Sequence, residues 1–111
     1  MFGLGPQVPQ IDAMDVYSQI KKGSNAVIID VRTAGEVEKG KIKGSIHIPL
    51  DQIEDLIQDK IPNKEKTLYV YCLSGSRSAQ AVLMMQQMGY EKVFSMKSGL
   101  LSWRSHNFPL E

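Results

Sequence analysis

Apolar residues along this chain fall into short runs that alternate between strand spacing and helix spacing. Ala26-Val27-Ile28-Ile29, ending in Asp30, is continuous and suits a parallel strand covered on both faces. Leu68-Tyr69-Val70-Tyr71 is a second such run, and Lys92-Val93-Phe94 reads as the last strand. Ser45-Ile46-His47-Ile48-Pro49 alternates and reads as a strand that Pro49 closes, while Ile11 reads as a short edge strand.

Helical spacing fills the gaps. Val16, Tyr17 and Ile20 mark a helix from the acidic cap Asp12, with Asp15 three residues on, to Lys22, where Gly23 stops it. Gly35 to Gly44 reads as a short helix followed by a lysine-rich loop. Leu50, Ile53, Leu56 and Ile57 form another helical stripe, and Ala81, Val82, Met85 and Met88 form a further one ending at Gly89. Gly99 opens a terminal helix that Trp103 anchors to the core. Strand and helix alternating from end to end predicts an α/β fold: an open parallel sheet of about five strands with helices on both faces.

At 111 residues the chain reads as one domain, 1–111, with an irregular lead-in at residues 1–10. Leu110-Glu111 has the look of a cloning scar and carries no functional argument. A net charge of +1 supplies no basic stripe, which argues against nucleic acid as a partner. No apolar run reaches the length of a membrane span, and the start lacks the basic and apolar regions of a signal peptide. The expected location is the cytoplasm.

Composition matters most through its single cysteine, Cys72. One thiol allows no internal disulfide, no paired redox motif and no multi-cysteine metal site. Cys72 closes the apolar run 68–71, and the flexible stretch Leu73-Ser74-Gly75-Ser76-Arg77 leads into a helix expected to start near Ser78. A strand, a tight Ser/Gly loop and a helix start make an anion cradle, because loop amides converge and the helix dipole adds positive potential. Arg77 adds a forked cation, so Cys72 reads as a thiolate nucleophile. No thiol within the chain can resolve what Cys72 acquires, so release must be to an outside acceptor.

The other candidates read as structural. Asp30 and Arg32 follow the strand 26–29 and could be an acid/base pair. The favoured reading has Asp30 accepting loop hydrogen bonds and Arg32 tying down the next segment through Glu36. Lys39, Lys41 and Lys43 read as a solvated face, and His47 as pointing outward on a strand end. The methionines of the 81–88 helix have core spacing and no histidine or cysteine beside them, so packing is preferred to soft-metal binding.

These residues resemble a single-domain rhodanese. The resemblance is carried by Val27-Ile28-Ile29-Asp30-Val31-Arg32, Glu36, Gly40 to Pro49, Tyr71 to Ser78, Gly89-Tyr90, and Ser98-Gly99 through Trp103. It covers nearly the whole chain. It implies that Cys72 carries sulfane sulfur as a persulfide, and that Leu73, Ser74, Gly75, Ser76, Arg77 and Ser78 bind the transferred sulfur and the substrate oxyanion. Asp30, Arg32 and Glu36 would support the site. The implied donor is thiosulfate or another sulfane sulfur compound, and the acceptor is cyanide, a small thiol or a thioredoxin-like protein; no cofactor or metal is called for. Lys41, Val37 and Ser98 depart from the family's usual histidine, aromatic and glycine, and Leu73 stands where a basic residue is frequent.

Two other readings stay open. Cysteine phosphatases and arsenate reductases share the Cys…Arg-Ser arrangement with five residues between cysteine and arginine, whereas here there are four. A non-catalytic interaction or sulfur-carrier module would keep the fold without turnover.

Overall fold

The computed structural model describes residues 7–111, so most of the expected lead-in lies outside the described residues. Five strands, β1 (Gln10–Ile11), β2 (Val27–Asp30), β3 (Ile46–His47), β4 (Leu68–Tyr71) and β5 (Val93–Met96), form one sheet in the order β1-β5-β4-β2-β3. Every pairing is parallel. The helices are α1 (Ala13–Lys21), α2 (Ala34–Glu38), α3 (Ile53–Lys60), α4 (Ser76–Gln87) and α5 (Gly99–Ser105).

The two-residue period of the strands divides the core. Ile29 and Val31 with Leu68, Val70 and Cys72 face Ile53, Ile57, Val82 and Met85 of α3 and α4. Ile28, Tyr69 and Tyr71 face the other way, toward Val16 of α1 and Leu100 and Trp103 of α5. Both faces of β4 are therefore covered, which is why its sequence is an unbroken apolar run. Met85 is fully buried and Met84 and Met88 pack against the same cluster.

Several boundaries differ from expectation for local reasons. Pro49 is followed by a 3-10 turn, Leu50–Gln52, before α3 begins at Ile53. Asp12 precedes α1 in extended conformation, but its side chain makes no capping hydrogen bond. β5 runs on through Ser95 and Met96 because it pairs with β1 on one side and β4 on the other. α4 starts at Ser76 rather than near Ser78, since Gly75 with φ +121° turns the chain into the helix at once. At the far end, Leu110 bridges to Ile42, and the Glu111 backbone exchanges hydrogen bonds with Lys41. The pair set aside as a scar thus packs on the Lys41–Gly44 loop.

In open parallel sheets, ligands bind outside the carboxyl ends of the strands. The carboxyl end of β4, the central strand, is where Cys72 lies.

Candidate active site

Cys72 is fully buried, with its Sγ at the start of α4. The Gly75 amide donates to Sγ at 3.0 Å and the Ser78 amide at 3.4 Å. The Ser78 hydroxyl lies 3.6 Å from Sγ and 2.7 Å from the hydroxyl of Ser95 on β5. Burial pushes the thiol pKa up. The amide and the hydroxyl of Ser78, with the amides of Gly75 and Ser74, outweigh it, and the net pKa falls below that of an ordinary thiol. A thiol whose pKa is lowered ionises more readily than an ordinary one, which favours it as a nucleophile.

The loop is held from behind by α5. Leu100 N–H donates to Cys72 O at 2.9 Å and Leu101 N–H to Leu73 O at 3.2 Å, so first-turn amides of one helix fix the carbonyls beside the nucleophile. Ser98 takes the left-handed φ of +58° just before that helix. Trp103 is buried behind the loop and donates to Pro109 O at 2.9 Å, with Tyr17 and Phe108 packed on its ring.

Glu36 and Arg77 correct the expected pairing. Arg32 was expected to reach Glu36; instead its guanidinium holds Asp30 at 2.7 Å and Gly40 O at 2.8 Å. It does tie down the segment after α2, through a backbone carbonyl. Glu36 closes a capping box with Thr33 and grips Arg77 with both oxygens, at 2.7 and 3.0 Å. Arg77 is therefore a paired cation. Its own pKa is raised chiefly by Glu36, with a smaller part from the charge of Cys72. The contacts made directly to Sγ come from the Gly75 and Ser78 amides and the Ser78 hydroxyl.

Asp30 belongs to a separate network. It is fully buried and accepts from Arg32 and, at 2.5 Å, from the Tyr71 hydroxyl. That hydroxyl in turn accepts from the Ile42 amide at 3.0 Å. Asp30 is in register with Tyr71, one residue before Cys72, so its side chain faces the opposite side of the sheet from the thiol. This network clamps the loop 40–45 to the sheet. His47 is half-buried rather than pointing outward, with Nε2 at 2.7 Å from Arg32 O.

Of the other loop residues, Leu73, Ser74 and Ser76 are exposed at the mouth and Gly75 is half-buried. Ser78 is fully buried beneath the sulfur. Ser95 is inconspicuous in the sequence because it follows an apolar run; a serine on the inward side of an interior strand is the signal that marks it.

The Glu36 carboxyl is pulled from 4.5 down to about 2, first by the Arg77 guanidinium, with burial opposing and Thr33 adding to the pull. A pKa lower in the folded chain stabilises fully above the unfolded value of 4.5 and is lost as pH falls through about 2. Urea midpoints for wild type and Glu36→Gln should therefore differ at about pH 7 and converge as pH falls through that window. A gap that stays constant with pH would remove this ion pair as its cause.

An α/β domain with a lone thiol caged by amides at a strand-to-helix turn, its pKa lowered, is built for sulfur-centred nucleophilic chemistry. Residues 12–106 match the profile of the rhodanese-like domain. The chain belongs to that family. It is 29% identical over 103 residues to a protein of Allochromatium vinosum named sulfurtransferase, covering 93% of this chain and 94% of that one. It is 37% identical over 65 residues to the Escherichia coli thiosulfate sulfurtransferase PspE, covering 59% and 62% of the two chains. A rhodanese-related protein of Thermoplasma volcanium has the same fold, with a TM-score of 0.81 at 32% identity over 94% of this chain and 98% of that one. Among the described residues no helix is long and apolar enough to cross a membrane.

Proposed function

We propose that this chain is a sulfurtransferase that carries sulfane sulfur as a persulfide on Cys72. The observation that carries the reading is the caged sulfur: two amides and a hydroxyl converge on Sγ, and the pKa is lowered although the thiol is buried. With thiosulfate as donor, the Cys72 thiolate attacks the outer sulfur, the S–S bond breaks, and sulfite leaves with the electron pair. The persulfide anion is held by the same loop. An external thiol, small or on a thioredoxin-like protein, or cyanide then attacks the outer sulfur and restores the thiolate. The external acceptor follows from there being one cysteine, and a reducing compartment such as the cytoplasm keeps it free.

The relatives named as sulfurtransferases support the same reading. Intact-mass analysis after incubation with thiosulfate, and separately with an organic hydropersulfide, tests it. The expected result is a gain of one sulfur atom that disappears when a thiol is added. A protein whose Cys72 is alkylated readily but gains no sulfur from either donor would be a binding module instead.

A further inference from the structure

A cleft of about 220 Å³ beside the cysteine loop is lined by Val31, Pro49, Leu50 and Asp51 together with Arg32, Thr33 and the loop's own Arg77. It adjoins the nucleophile from one strand over. The Val31 amide donates to Tyr71 O at 3.1 Å, and Val31 and Cys72 face the same side of the sheet. Leu50 is fixed in turn by its amide on Val31 O at 3.1 Å.

Charge at this mouth does not favour a dianion. Arg32 is committed to Asp30 and Arg77 to Glu36, while the residue after the cysteine is the exposed Leu73. Asp51 is exposed and makes no ion pair among the described residues, so it adds negative charge at the rim. The lining itself is apolar, and apolar cavities of about 150 Å³ accept a benzene ring.

We propose that this cleft is a subsite for the organic group of the sulfur donor, and that the preferred donor class is an organic hydropersulfide, R–S–SH, with a small apolar R. The proposal rests on the sulfur-transfer reading and narrows its substrate. R lies against Val31, Pro49 and Leu50, with the donor's outer sulfur directed at Cys72. The thiolate attacks that sulfur, a Cys72 Sγ–S bond forms, and the bond between the donor's two sulfurs breaks. The electron pair leaves on R–S⁻, which takes a proton from water, and the transferred sulfur keeps its own proton. Sulfane sulfur passes from one thiol to another with no net oxidation.

The test compares single-turnover loading of Cys72, read by intact mass, from benzyl hydropersulfide and from thiosulfate. The quantity read is the ratio of the two rate constants in wild type, Leu50→Asn and Asp51→Lys. Leu50→Asn keeps side-chain volume while making the wall polar, and should lower the ratio about tenfold or more. Asp51→Lys, at an exposed position, should lower it several-fold by favouring thiosulfate. The same ratio in all three proteins would overturn the subsite while leaving sulfur transfer intact. Absence of sulfur on wild-type Cys72 from either donor would overturn the transfer reading itself.

Discussion

Cys72→Ser is expected to lose sulfur transfer by at least about a thousandfold while keeping the fold. The substitution changes one buried atom, and a serine oxygen can still accept from the Gly75 and Ser78 amides. What it lacks is acidity: a hydroxyl is far less acidic than a thiol, and the caged thiol's pKa is lowered further. Cys72→Ala should be equally inactive and slightly less stable, since it leaves a small void and two unpaired donors. Sulfur uptake by intact mass, with circular dichroism as the fold control, checks both. Retained turnover in either variant would mean that the sulfur is carried somewhere other than the only cysteine.

Gly99→Ala is expected to cost the most stability of any methyl-sized change around the loop. A Cβ at Gly99 would stand 2.3 Å from Cys72 O and 2.9 Å from Leu73 O, at a left-handed φ of +41°. Those carbonyls are the acceptors of the Leu100 and Leu101 amides, so relief of the clash must move the loop or break its rear hydrogen bonds. A loss of about 2–4 kcal/mol is expected, which lowers Tm by more than about 10 °C. Cys72 alkylation in the folded fraction should slow in parallel, because Gly75 and Ser78 no longer meet Sγ squarely. Wild-type Tm together with wild-type reactivity would show that the loop does not depend on this close approach.

Much of this arrangement was legible in the chain, for a physical reason. Strands buried on both faces must be apolar throughout, so β2 and β4 stand out as runs, and a cysteine closing the second one falls at the open end of a parallel sheet. What stayed hidden depends on contacts across long stretches of sequence. Nothing near Glu36 indicates that its partner is Arg77 rather than Arg32, because the choice is made by the fold bringing α2 within reach of the first turn of α4. The same holds for Ser95, whose importance comes from β5 lying next to β4. Asp12 shows the opposite failure: a strong local capping pattern whose side chain the folded chain does not use.

The hydrogen bonds from α5 to the loop also set an order of events during synthesis. The nucleophile and its amide donors, residues 72–78, emerge from the ribosome before Gly99, Leu100 and Leu101, whose amides and bare Cα secure that loop from behind. At typical elongation rates the interval is roughly one to five seconds. Over that time the loop lacks the two hydrogen bonds that hold its carbonyls from behind. The cage around Cys72 is therefore completed by the last element of the fold to be made, α5, rather than by the loop that forms it.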